Sequence, residues 1–215
     1  KDMITKYKLE LPKPALEQIA AEAYAEFQKE IKANWNVEIV GIEEVMQSSV
    51  YQGLKDYAMA NSDDYITVPY KNCKTMIPTT LNELIKSGSV SFPADNPMVR
   101  LKRDLKVDAV AALVIDFRTV MAKETQEVSV VPSISFKIIG DTRSPQFGPT
   151  VFSQGQLKSE SIPYEEALKQ VEGGVNQLNL LLKKDQMMPE IGKAIKKIKS
   201  EEADKGYLKI WKLVE

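Results

Sequence analysis

The sequence predicts an α+β fold: a mixed sheet of about five strands with helices packed on one face. The expected order is β-α-β-α, then an antiparallel meander. Three observations carry this prediction. Apolar residues recur at three- and four-residue spacing over 14–33. The period changes to alternation near residue 107, and it returns to helical near residue 163. With 43% hydrophobic and 27% charged residues, 215 residues suffice to bury a sizeable core. Residues 1–185 form one domain in this reading, interrupted by an irregular insertion at 58–97. Residues 186–215 form a helical extension docked on it.

The elements follow in order. Tyr7, Leu9 and Leu11 share one face of an opening strand, which Pro12 and Pro14 end. Leu16, Ile19, Ala20, Ala23, Tyr24, Phe27 and Ile31 make the stripe of the first helix, with Pro14 in its first turn. Val37, Ile39 and Val40 read as a short buried strand before Gly41, and a helix is expected from Ile42 to about Tyr57. Asp95, Asn96 and Pro97 form a helix start.

The run from Ala109 to Phe117 is almost continuously apolar, which predicts a strand buried on both faces. Val128 to Ile139 alternates, as a half-buried strand does. Residues 140–149 form a turn-rich loop, and Thr150 to Ile162 reads as the returning strand. Pro163 opens a helix to about residue 183, with Glu165 and Glu166 in the turn that the helix dipole favours for acids. Gly173 and Gly174 lie in the middle of that helix, each costing about 1 kcal/mol against alanine. They predict a close crossing with another element. A last amphipathic helix spans about 189–199, and the tail at 206–214 is expected to dock on the core.

Function classes narrow by composition. The chain has no histidine and one cysteine, Cys73. That removes the commonest general base, the commonest metal ligand and most nucleophile–base pairs. A lone thiol reads as a small buried hydrophobe, and the flanking Lys71 and Lys74 read as solvated surface. With 29 basic and 30 acidic residues the net charge is -1, which points to neither nucleic acid nor an anionic membrane. No apolar run approaches the roughly 18 residues of a membrane-spanning helix. A first residue that is Lys1 rather than methionine fits either a trimmed chain or a mature one whose signal peptide was removed; on the second reading a periplasmic or secreted location is expected.

The order of elements now carries a resemblance. Helix 14–33 leads to a short strand at 37–40. Lys106-Val107-Asp108-Ala109-Val110 opens the buried strand, and Ile134 to Asp141 follows as a second strand with Gly148 in the turn beyond it. This order resembles the N-terminal domain of the TolB translocation protein and the related periplasmic domain of the curli secretion lipoprotein. It covers about residues 1–185, with 58–97 and the tail after 186 as departures. The resemblance implies a protein-interaction domain of the bacterial envelope with a protein partner, no catalytic residues and no cofactor. Long paired strands for a pore are not evident, so channel function does not carry across.

Site candidates are few. Asp116 and Arg118 are placed at the end of the most buried strand, and Asp141 and Arg143 lie in the 140–149 loop. These four are the candidate binding residues; the alternative function is a small-molecule-binding protein or histidine-free hydrolase with a pocket near Asp116 and Arg118. Glu43-Glu44 and Asp63-Asp64 lack calcium-loop spacing. No serine–lysine dyad stands out from spacing. Lys193, Lys196, Lys197 and Lys199 around Ile195 and Ile198 read as the solvent face of a packed helix. Trp35 and Trp211 read as core caps.

Overall fold

A computed structural model describes residues 12–54, 56, 70–75, 97–140, 151–172 and 174–205. The expected strand at 3–11, most of the insertion 58–97, the loop 141–149 and the tail 206–214 lie outside the described residues, as do Asp141, Arg143, Gly173 and Trp211.

Four α-helices build the main layer: α1 (Lys13–Asn34), α5 (Tyr164–Glu172), α6 (Val175–Leu182) and α7 (Lys184–Lys205). Shorter helices are α2 (Ile42–Gln47), α3 (Ser49–Gln52) and α4 (Pro97–Asp104). The strands are β1 (Val110–Met121), β2 (Val128–Ile139), β3 (Val151–Lys158) and the two-residue β4 (Ile162–Pro163). The fold is α+β, as the patterning predicts. The sheet runs β1-β2-β3, with β4 also on β2, and every described pairing is antiparallel. A mixed sheet would need one of the early strands. Residues 37–40 are extended but belong to no strand; Val37 and Ile39 instead pack their side chains against the core.

The core lies between β2 and the main helices. On α1, Ala15, Ile19, Ala23, Phe27 and Ile31 are buried at four-residue spacing. They meet Met187, Met188, Ile191, Ile195 and Ile198 of α7, and Val130, Ile134, Phe136 and Ile138 of β2. The Phe27 and Phe136 rings sit 6.4 Å apart at 57°, within the tilted geometry aromatic pairs favour. Trp35 caps this core, and Ile195 and Ile198 are buried beneath the lysines of α7, as expected. Gly192 lies where α7 packs on α1, and a Cβ there would displace only the flexible end of the Glu30 side chain.

A second, smaller cluster covers one end of the opposite sheet face. It joins Met98, Leu101 and Ile139 with Val50, Tyr51, Leu54, Leu105 and Val110. Helices therefore sit on both faces, the large ones on one.

Four expectations are corrected. The helix foreseen from Ile42 breaks at Ser48, whose extended backbone starts α3 and whose Oγ accepts from the Tyr51 N–H at 3.1 Å. The same hydroxyl donates to Asp104 Oδ2 at 2.5 Å, tying α3 to α4. The helix foreseen over 163–183 breaks at Gly174, with φ 75 and ψ -157. That region is open almost only to glycine. No atom lies within 4 Å of a Cβ built there, so Gly174 serves backbone conformation and not a close crossing. The run 109–117 is not buried on both faces. Its strand continues to Met121, lies at the edge of the described sheet, and buries only Val114. The doubly buried strand is the central β2, where every residue from Pro132 to Ile139 is buried, and not the half-buried strand that its alternation predicts.

Candidate functional site

The feature that distinguishes this sheet is the outer edge of β1. Val110 to Met121 pairs with Ile139 to Val128 through twelve consecutive partners without a shift. Valine, isoleucine, leucine and phenylalanine supply the strand propensity. The loop after Met121 closes with Gln126 in the left-handed region, φ 59. There the Ala122 N–H donates to the Glu127 carbonyl at 2.9 Å.

That one bond sets the phase of the ladder. In an antiparallel pair, bonded positions alternate. Even-numbered residues of β1 therefore direct N–H and C=O toward β2. Odd-numbered residues, Leu113, Ile115 and Phe117 among them, direct theirs outward. The same phase holds across β2: Ser159 N–H donates to the Pro132 carbonyl at 2.9 Å on the far side. Pro132 thus has its absent N–H on the side where β3 has just ended. No described strand pairs with the outer edge of β1.

Side chains follow the opposite logic. Leu113, Ile115 and Phe117 pack against the main core and are half-buried. Ala112, Val114, Asp116, Arg118 and Val120 line the other face. Across from them on β2 stand Lys137, Ser135, Ser133, Val131 and Ser129. Ser133, Ser135 and Lys137 are buried, and burial pushes the Lys137 ammonium down from its usual range.

Asp116 and Arg118 stand in the middle of the strand, not at its end. Arg118 Nε lies 3.8 Å from Asp116 Oδ2, with the Arg118 side chain 55% exposed and that of Asp116 19%. Burial raises the Asp116 carboxyl above its usual value, and the Arg118 charge offsets this only in part. The structure thus brings two of the four candidate residues together. No pattern in the residues of β1 marks it as an edge, because an apolar run reads the same in the centre of a sheet and beside a thinly covered border.

Cys73 has a different setting. Lys71 and Asn72 both have positive φ, 45 and 62, and Cys73 N–H donates to the Tyr70 carbonyl at 2.8 Å. This is a tight turn of the primed kind. The thiol is half-buried, and burial pushes its pKa up, away from a reactive thiolate. Lys71 is exposed near Glu43, as expected. Lys74 is not simply solvated: its Nζ donates to the Gln52 and Leu54 carbonyls at 2.6 and 2.5 Å, closing the end of α3.

Among the described residues no cluster of three or more cysteine, aspartate or glutamate side chains is placed to hold a metal ion. No described helix is long and apolar enough to cross a membrane. No protein-family model, curated protein or solved structure matches the chain.

Proposed function

We propose that the chain is a non-catalytic interaction domain of the bacterial envelope, periplasmic or secreted, which takes up a partner's extended strand along β1. The observation that carries this reading is the outer edge of β1, with which no described strand pairs. It is long, regular and half-exposed, and it lacks the proline, lysine or bulge that commonly blunts an edge. Strand addition takes affinity from main-chain hydrogen bonds and specificity from alternate side chains. The absence of histidine supports the non-catalytic half of the proposal, and the envelope location rests on the sequence resemblance to the TolB N-terminal domain alone.

The test is selection from a displayed library of random peptides against the wild type and Ile115→Pro. Proline at 115 deletes an outward N–H without removing a β1–β2 bond. Bound peptides should be extended and should lose binding to the proline variant. Binders indifferent to Ile115→Pro, or no binders at all, would refute strand addition. Cell fractionation of the producing bacterium tests the envelope location.

A small-molecule site at Asp116 is the second reading, favoured by the buried carboxylate with its raised pKa. A metabolite that stabilises the wild type in thermal shift, but not Asp116→Ala, would select it instead.

A further inference from the structure

We infer that α6 is a strap: it lifts from the domain as a unit, hinged at Gly174 and Lys183 and latched to α1 by the bond from Asn179 to Glu22. The device involves no part of β1.

Both ends of α6 are built to turn. Gly174 has φ 75 and ψ -157, and no atom lies within 4 Å of a Cβ placed there. That end has room to move, and glycine passes between positive and negative φ without a side-chain penalty. Lys183 closes the other end in the left-handed region, with φ 52 and ψ 41. A lysine rarely holds that conformation unless its surroundings impose it. The N-terminus of α6 has no side-chain cap, so its first N–H groups gain nothing from a flanking side chain. At eight residues the helix is too short to hold its shape alone. Docking on α5, α1 and β2 keeps it folded.

That docking is uneven. Leu178 and Leu182 are fully buried in the main core, while Leu180 between them is 66% exposed. Asn179 Nδ2 donates to Glu22 Oε2 at 2.7 Å. Asn179 Oδ1, on the same amide, is sealed from water and has no hydrogen-bond partner. An acceptor buried without a donor regains one when it reaches water, so the docked state carries a penalty that opening removes. The ion pair from Lys183 to Glu160, 3.1 Å long, lies at the surface and holds little.

The neighbours of α6 are anchored separately. Tyr164, Ala167 and Val171 bury one side of α5, and Ile191, Ile195 and Ile198 fasten α7. Lys184, the first residue of α7, pairs with Glu26 at 3.0 Å as well as with Glu22 at 2.9 Å. α6 can therefore lift while α5 and α7 stay in place, and the motion uncovers the apolar surface beneath Leu178 and Leu182. Openings of this kind draw on the least stable cooperative unit of a fold.

The experiment is residue-resolved native-state amide exchange in low, sub-denaturing urea. In the wild type the amides from Leu178 to Leu182 should share one opening and exchange at least about tenfold faster than those of Ile134 and Ile195. Urea should speed Ile134 and Ile195 steeply and α6 little, because lifting one short helix exposes little surface. Two variants then separate the strap from global unfolding. Glu22→Ala removes the latch and leaves Glu26 on Lys184, so it should speed α6 exchange about tenfold, the worth of one hydrogen bond to a charged group. Gly155→Ala, whose Cβ would come within 2.8 Å of Phe136 Cε1, weakens the sheet in the closed and the strap-open states alike. It should speed Ile134 and leave the α6 amides as they were. The wild-type measurement needs neither variant to fold. Exchange of α6 at the rate and urea dependence of Ile134, no response of α6 to Glu22→Ala, or an equal response of α6 and Ile134 to Gly155→Ala would overturn the inference.

Discussion

Substituting Gly155 by alanine should destabilise the fold through one ring. Phe136 and Gly155 are direct partners in the β2–β3 ladder. A Cβ on Gly155 would come within 2.8 Å of Phe136 Cε1. Carbon atoms at van der Waals contact lie about 3.5–4.0 Å apart, so the overlap is at least about 0.7 Å. The ring has little freedom to retreat: Phe136 is 3% exposed and packs on Phe27. Overpacking of this kind costs about 1–3 kcal/mol. Replacing glycine in a strand returns about 0.5–1 kcal/mol of backbone entropy. The net cost should be about 1–2 kcal/mol, or a fall in melting temperature of about 2–8 °C for a chain of this size. Thermal unfolding followed by circular dichroism measures it. A double-mutant cycle with Phe136→Leu isolates the contact, since the smaller side chain should abolish or reverse the penalty of Gly155→Ala. An unchanged or raised melting temperature for the single variant, or an equal penalty in both backgrounds, would refute the account.

Gly174→Ala should also lower the melting temperature, by the equivalent of about 1–3 kcal/mol, although there is open space at its Cβ position; a rise would show that the backbone there is not constrained. Lys184 is buried between Glu22 at 2.9 Å and Glu26 at 3.0 Å, and Asn179 donates to the same Glu22 oxygen. Lys184→Met should cost about 1–3 kcal/mol by urea denaturation at neutral pH. Hydrogen bonding from Lys184 holds the Glu22 carboxyl below its ordinary 4.5, and the two glutamates hold the Lys184 ammonium above its ordinary 10.5 despite burial. This contribution should therefore be complete between those values, fading as pH falls through the lowered Glu22 pKa or rises through the raised Lys184 pKa. Asp116 has the opposite sign. Its carboxyl is raised by burial above 3.8, so wild-type stability should fall as pH climbs from 3.8 through the raised value, and Asp116→Asn should remove that component.

The fold class was legible because period is a strong signal. Ile19, Ala23, Phe27 and Ile31 repeat at helical spacing and are buried, and the even-numbered residues from Val130 to Ile138 alternate as a strand should. Breaks inside helices were not legible. Ser48 and Gly174 interrupt sequences whose apolar spacing runs on unbroken, because a cap or a positive φ costs one residue and leaves the periodicity intact. Of the two glycines where a crossing was foreseen, Gly174 has open space at its Cβ position. The candidate site was half legible. Asp116 and Arg118 stand out as polar residues in an apolar run, yet their importance comes from the strand's place at the sheet border. Neighbour order is set by tertiary pairing and leaves no mark on the composition of β1.

Residue-resolved amide hydrogen exchange in dilute solution tests the open edge most directly. The Val114, Asp116 and Arg118 amides, bonded to β2, should exchange slowly. Those of Leu113, Ile115 and Phe117, directed outward, should exchange many-fold faster. Equal protection of both sets would mean that the edge of β1 is already covered, and would contradict the account.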